Sequence, residues 1–267
     1  MEDRSVSYLI ANTKLDNLET KLLLRDVLDF TQAELIINNE YILNDSQYNE
    51  FLQLLAKRQN GMPISYLLGY KEFYSRNFKV SQDTLIPRPE TELLVETALR
   101  LSKANDYILD LGTGCGCIAI TCKLQDHGLN IVATDNSLGA LSIAKYNATK
   151  LKANIKFVYS DWYTNINDKF NIIISNPPYI ANNDEHLKNL SYEPMVALTD
   201  FKNGLEHIKK IIAGGVKHLY NGGFLILEHG FNQALEVKEI FEKNGYSEIT
   251  TLKDYAALDR ITYAVYK

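Results

Sequence analysis

Apolar positions in the first seventy residues recur at helical spacing. Leu18, Leu22, Leu23 and Val27 fall along one helical stripe. Thr31-Gln-Ala-Glu34 has the form of a capping box and opens a second helix. Asp45 or Ser46 caps a third, which carries Phe51, Leu54 and Leu55 inward and stops at Gly61. Pro63 suits the first turn of a short helix ending near Gly69. The spacing therefore predicts a small helical domain over residues 1–70. It contains no catalytic cluster, so its expected work is to grip a partner or shield a site.

The pattern then changes period. Phe73-Tyr74 and Phe78-Lys79-Val80 flank Ser75-Arg76-Asn77, which predicts a β-hairpin linker over residues 71–86. Pro87 and Pro89 disfavour helix before Glu90, and between them a stiff loop aims the Arg88 guanidinium. From Tyr107 strand-like and helical runs alternate. The strands are expected at 107–111, 130–135, 155–159, 170–175, 224–228, 248–252 and 261–266, the helices near 116–126, 138–151, 203–220 and 231–243. Such alternation argues for an α/β fold, a parallel sheet with helices on both faces, over residues 87–267. The final strand follows its predecessor without a helix and is expected to run antiparallel.

Two loops in this half carry chemistry. The first strand runs into Asp110-Leu-Gly112-Thr113-Gly114-Cys115-Gly116, where glycines let the backbone turn and approach a ligand before a helix N-terminus. The second strand ends at Asp135, 19 residues beyond Gly116, where a carboxylate can accept both hydroxyls of a ribose. A dinucleotide or S-adenosylmethionine fits that layout. The even glycine spacing departs from the pyrophosphate-seating pattern and favours S-adenosylmethionine, with Asp110 placed to order the loop near its cationic end. Asp161-Trp162 can flank an adenine, although packing at a strand end explains Trp162 equally well. Cys115 and Cys117 are small loop residues with no catalytic role assigned.

The other loop is Asn176-Pro177-Pro178-Tyr179, directly after the apolar run 170–175. Asn-Pro alone would be a loop that stops a strand. The four residues together offer two acceptors, Asn176 Oδ1 and the Pro177 carbonyl, and an aromatic ring, which suits a planar –NH2 group.

Composition narrows the class further. The chain of 267 residues is 46% hydrophobic and 23% charged, ordinary values for a globular protein of two domains. A net charge of −5, evenly spread, does not favour tight binding of bare nucleic acid. Three cysteines without CxxC spacing argue against a zinc site or disulfide framework, and for a reducing cytoplasm. No stretch approaches the length of a membrane span or signal peptide.

Several longer runs carry a resemblance: 63–74 (Pro-Ile-Ser-Tyr-Leu-Leu-Gly-Tyr-Lys-Glu-Phe-Tyr), 84–95 around Arg88, 175–180 around Asn176, Tyr192-Glu193-Pro194, and Leu227-Glu228-His229-Gly230. Over about residues 60–267 the chain resembles the PrmC/HemK family, the N5-glutamine methyltransferases of peptide chain release factors. Residues 1–60 match only in being helical. The resemblance implies a class I S-adenosylmethionine-dependent methyltransferase, with a Rossmann-like seven-stranded sheet, a small N-terminal helical domain for substrate recognition and the hairpin linker. It implies that Gly112 to Gly116, Asp135, Trp162 and Asn176 contact the cofactor, leaving S-adenosylhomocysteine as product. It implies that Asn176 to Tyr179 hold the glutamine of the Gly-Gly-Gln loop of class I release factors. Arg88 is a further candidate for substrate binding, and Asn176, Pro177 and Tyr179 for catalysis. Where the family often has Gly-Gly-x-Asp-Gly-Leu, this chain has Asp200-Phe-Lys-Asn-Gly204-Leu205. The competing readings are an adenine-N6 methyltransferase on DNA or RNA, since an exocyclic amine has the same geometry, and a non-enzymatic cofactor-binding scaffold.

Overall fold

The computed structural model describes residues 3–267; Met1 and Glu2, where the expected helical domain begins, lie outside them. The chain divides into two compact units, one ending at Gly69 and one spanning Tyr70–Lys267.

The first unit consists of α1 (Val6–Asn12), α2 (Asn17–Leu28), α3 (Gln32–Ile37), α4 (Asp45–Gln59) and α5 (Ile64–Leu68). The box at Thr31 forms as expected, its hydroxyl accepting from Glu34 N while the Glu34 carboxylate accepts from Thr31 N. The cap of α4 is Asn44, neither Asp45 nor Ser46. Asn44 Oδ1 accepts from Gln47 N at 3.0 Å and Gln47 Oε1 accepts from Asn44 N at 3.1 Å, so a second reciprocal pair starts the helix one residue earlier. The buried face of α2 is Thr20, Leu23, Leu24 and Leu28, and Leu18 is exposed. These join Val6, Leu9, Leu35, Leu43 and Phe51 in one apolar core.

The second unit begins with a hairpin, β1 (Tyr70–Phe73) against β2 (Arg76–Lys79), paired Tyr70↔Lys79 to Phe73↔Arg76. Its turn is Tyr74-Ser75, one residue earlier than the sequence pattern places it. Both residues have positive φ, 51° and 58°, the conformation whose twist matches a two-residue hairpin. Tyr74 N donates to Glu92 Oε1 at 2.8 Å, which helps hold a bulky residue in that conformation.

A 3-10 turn at Pro89–Thr91 leads into α6 (Glu92–Leu101). There follow β3 (Tyr107–Leu111), α7 (Cys117–Gln125), β4 (Asn130–Asp135), α8 (Leu138–Leu151), β5 (Lys156–Tyr159), β6 (Phe170–Ser175), α9 (Glu206–His218), β7 (Leu219–Glu228), α10 (Ala234–Lys243), β8 (Tyr246–Lys253) and β9 (Asp259–Tyr266). Seven strands form one sheet in the order β5-β4-β3-β6-β7-β9-β8. The first five are mutually parallel, and β9 runs antiparallel to both β7 and β8. The short 254–258 connection explains the reversal, because a parallel crossover needs a dozen residues or more. Strands β3 and β6 lie at the centre with Ile108, Leu109, Leu111 and Ile172 to Ile174 fully buried, so they read as mostly apolar runs, with Asp110 the buried exception in β3. After β5 the sheet stops growing outward and β6 returns beside β3, with Leu111 opposite Ser175. A reversal of that kind opens a crevice at the carboxyl ends of the strands.

Candidate active site

A cavity of about 530 Å³ occupies that crevice. It is lined by Gly112 to Cys115 after β3, Asp135 to Ser137 after β4, Ser160 to Trp162 after β5, and Asn176 and Pro178 after β6. Asp83, Pro87, Arg88, Thr91, Pro194, Asp200, Phe201 and His207 are also part of the wall. The sheet order thus brings most of the candidates together, although they come from loops scattered over a hundred residues.

The glycine loop does two different jobs. At Gly114 φ is +56°, and a Cβ there would meet nothing within 4 Å, so it would stand in the open cavity where a ligand can lie against the backbone. Gly116 has φ +84°, and its Cβ would come within 2.9 Å of Ile120 Cδ1 and 3.2 Å of Ala144 Cβ. That glycine lets α7 pack on α8, and it does not line the cavity. Two acids order the loop. Asp110 is fully buried, and its Oδ2 accepts from Thr113 Oγ1 at 2.6 Å. Its Oδ1 has no partner among the described residues, and burial pushes the carboxyl up to about 7. Asp135 Oδ2 accepts from Gly114 N and its Oδ1 from Ser137 N, each at 2.9 Å. Burial raises the Asp135 pKa, with backbone N–H groups opposing. Each of its oxygens keeps a lone pair for a hydroxyl.

Trp162 has φ +48° and turns its ring over Gly112, whose Cβ would lie 3.5 Å from it. The ring is also 5.2 Å from that of His207 and tilted 51° to it. Burial lowers the His207 pKa, so the imidazole is neutral at pH 7, and its buried Nδ1 has no partner among the described residues.

On the substrate side, Asn176 reaches the cavity and its Nδ2 donates to Thr91 Oγ1 at 3.2 Å. Thr91 Oγ1 donates to Glu228 Oε2 at 2.8 Å, and Tyr179 OH donates to Glu228 Oε1 at 3.1 Å. Burial pushes Glu228 up to about 7, with Thr91, Tyr179 and Arg260 opposing. Pro177 and Tyr179 do not line the cavity; the Tyr179 ring packs against the core cluster around Phe170, Leu225 and Leu227. Arg88 lines it, but its guanidinium is paired with the buried carboxylate of Glu193, whose Oε2 also accepts from Ile86 N at 3.0 Å. The 200–205 loop is fixed by Asp200, which accepts from the backbone N–H groups of Lys202, Gly204 and Glu206. Gln233 Nε2 then donates to Tyr179 O at 3.0 Å.

Sequence reasoning assigned no role to Thr91, Glu193, Asp200, His207, Glu228 or Gln233. Asp200 had a local signal, an acid just ahead of Asn-Gly. Glu193 and Glu228 stood inside quoted motifs without a stated task.

The charge of the wall bears on the cofactor. Asp83, Asp135, Asp161 and Asp200 face the cavity, against the single Arg88, which Glu193 already balances. S-adenosylmethionine carries a sulfonium and an ammonium against one carboxylate, so a net cation suits this wall, and an anionic pyrophosphate does not. Asp135 would hold its ribose, Trp162 and His207 its adenine, and the 112–115 backbone its methionyl arm.

Comparison with known proteins agrees. Residues 89–197 match the family model described as Methyltransferase small domain, and residues 5–69 match the PrmC N-terminal domain, so the likeness of the first sixty residues goes beyond their being helical. Among solved structures, a methyltransferase from Pyrococcus furiosus superposes with TM-score 0.58 at 20% identity, covering 79% of this chain and 96% of that one. A 16S rRNA N2 G1207 methyltransferase from T. thermophilus, in complex with AdoMet and guanosine, gives 0.54 at 19%, covering 74% and 50%. At these identities the likeness speaks for the fold, a class I methyltransferase sheet. A release factor glutamine methyltransferase from Buchnera aphidicola subsp. Acyrthosiphon pisum is 44% identical over 248 residues, 91% of this chain and 90% of that one. The one from Neisseria gonorrhoeae is 40% identical, with 95% of each chain covered. Sequence identity at this level, along nearly the whole of both chains and on the same fold, makes this chain a member of the release factor glutamine methyltransferase family.

Proposed function

We propose that this protein methylates the side-chain amide nitrogen of the glutamine in the Gly-Gly-Gln loop of class I release factors, with S-adenosylmethionine as donor. The observation that carries the reading is that the glycine loop after β3 and Asn176 after β6 face one cavity from adjacent strands. When bound, the cofactor supplies an electrophilic methyl group on its sulfonium.

A glutamine amide nitrogen is a weak nucleophile, because its lone pair is delocalised into the carbonyl. Asn176 Oδ1, which reaches the cavity, accepts one of its two hydrogens and aims the nitrogen; the Pro177 carbonyl, set back from the cavity wall, takes the other in this reading once the glutamine is seated. As the nitrogen pyramidalises, its N–H groups become more acidic, and these bonds strengthen toward the transition state. Tyr179 shapes this loop from behind, through its ring in the core and its hydroxyl on Glu228. No carboxylate or imidazole is assigned as base, and the proton leaves to water after transfer. The Arg88–Glu193 pair stiffens the rim over which the loop of the substrate enters.

The unit ending at Gly69 recognises the body of the release factor in this reading, with the hairpin as linker. Exposed Ile36, Ile37 and Ile42 give it apolar surface for a protein partner. No helix among the described residues is long and apolar enough to cross a membrane, and a translation factor as substrate sets the reaction in the cytoplasm. Incubation with methyl-labelled S-adenosylmethionine and release factor tests the proposal. One methyl on the Gly-Gly-Gln glutamine is expected, absent when that glutamine is replaced. Label entering methyl-free DNA or RNA instead would overturn it.

A further inference from the structure

Asn176 serves the reaction in only one of its two amide orientations. With Oδ1 toward the nucleophile it accepts an N–H; rotated by half a turn, it presents a donor to a donor. The side chain itself prefers neither. The selection is made behind it. Glu228, at the end of β7 and 1% exposed, meets two hydroxyls, that of Thr91 at 2.8 Å and that of Tyr179 at 3.1 Å. A carboxylate only accepts, so both hydroxyls direct their hydrogens at it. The Thr91 oxygen is left as an acceptor and takes Nδ2–H of Asn176 at 3.2 Å. Oδ1 then points away from Thr91.

We propose that Thr91 and Glu228 are positioning residues for methyl transfer, a hydrogen-bond chain of fixed direction that holds Asn176 Oδ1, and not Nδ2, toward the acceptor amide. The assignment rests on the reading of Asn176 as that amide's acceptor. Arg260, half-buried and held by Asp254 Oδ2 at 3.1 Å, favours the ionised Glu228, while Glu90 opposes it. The neighbouring His229 spends its ring nitrogens on Gly230 O and Thr262 Oγ1. A proton on Glu228 makes it a donor to Thr91. Thr91 is then free to donate to Asn176, and the chain loses its direction.

The test uses the full chain, labelled with ¹⁵N, with the Asn176 side-chain amide identified by its loss in Asn176→Ala. Wild type is expected to show one shifted, slowly exchanging amide hydrogen. Thr91→Val, which keeps shape but removes the hydroxyl, abolishes that signal, and Thr91→Ser keeps it. In parallel, Thr91→Val and Glu228→Gln lower kcat roughly ten- to a hundredfold, the usual scale for groups that orient a reacting residue. KM and S-adenosylmethionine affinity stay unchanged, and Thr91→Ser restores kcat. Wild-type kcat falls on the acid side of about pH 7, and Thr91→Val lacks that limb. A Thr91→Val variant with an unchanged amide signal or with wild-type kcat overturns the proposal, whether or not Glu228→Gln folds. A wild-type protein that methylates no release factor refutes the substrate reading, while the amide signal still decides the orientation.

Discussion

Gly204→Ala places a methyl group where the fold has no room. The residue has φ +82°, and the new Cβ would overlap the carbonyl oxygen of Tyr179, lie 2.9 Å from its carbonyl carbon and 2.8 Å from Gln233 Nε2. Left-handed backbone costs an L-residue about 1–2 kcal/mol, and overpacking against backbone adds about 1–3 kcal/mol. The expected loss is therefore roughly 2–5 kcal/mol. The overlap is with main chain that follows two prolines, so it cannot be relieved by a rotamer change. Either the 200–205 loop leaves Asp200, which accepts from Gly204 N at 2.9 Å, or Tyr179 shifts and moves the Asn176 loop with it. Urea denaturation followed by circular dichroism should show a lower midpoint with an unchanged slope. The fraction that remains folded should bind S-adenosylmethionine normally and turn over slowly. Gly222→Ala is the control, because its φ is +79° but nothing lies within 4 Å of the added carbon. It should cost only the backbone share, about 1–2 kcal/mol, with kcat intact. Equal stability loss and equal kcat in the two variants would refute the crowding argument.

Arg88→Ala strips a buried carboxylate of its cation. Because Arg88 is 32% exposed, the cost is set at roughly 1–3 kcal/mol, below the full buried-pair range, and is read by urea denaturation. If Arg88 acts only through the rim, Glu193→Gln raises KM for release factor equally; a rise confined to Arg88→Ala shows direct substrate contact. Asp135→Ala should weaken S-adenosylmethionine binding by about 1.5–3 kcal/mol in titration calorimetry, and unchanged affinity would remove Asp135 from the site. Asp110 and Glu228 have folded pKa values raised to about 7 from 3.8 and 4.5. The folded state thus binds more protons than the unfolded one between about pH 4 and 7, and stability contributed by these groups is lost as pH rises through that window. Melting temperature against pH should show this fall, flattened in Asp110→Asn; an Asp110→Asn profile parallel to wild type would contradict it.

The central strands were legible because burial on both faces keeps them mostly apolar, despite Asp110 in β3 and Asn171 in β6. β3, β4 and β6 run 107–111, 130–135 and 170–175 in both the pattern and the structure. β7 begins at Leu219, five residues before the expected start, because Gly222-Gly223 reads as a break but lies within the strand. The hairpin turn and the α4 cap were misplaced by one residue, because left-handed backbone at Tyr74-Ser75 and the reciprocal Asn44–Gln47 bonds, not apolar spacing, fix those boundaries. Within the site, the cofactor loop could be read because its residues act in sequence. The supporting contacts could not: Thr91–Glu228 spans 137 positions, Arg88–Glu193 105 and Asn176–Thr91 85. No local signal encodes a partner that only the strand order brings near.

The strand order also has an evolutionary consequence. In the proposed reading, the loops after β3, β4 and β5 hold the methyl donor and the loop after β6, backed by Glu228 at the end of β7, holds the acceptor. Asn176 stands at the seam between these halves. Mutations can therefore accumulate on the β6–β7 side, changing which –NH2 group is admitted, without disturbing the grip on the donor. In that reading, a substitution at Asn176 would leave the donor loops after β3, β4 and β5 in place while removing transfer. Such a sheet allows new acceptors, and inactive donor-binding copies, to arise without a new fold.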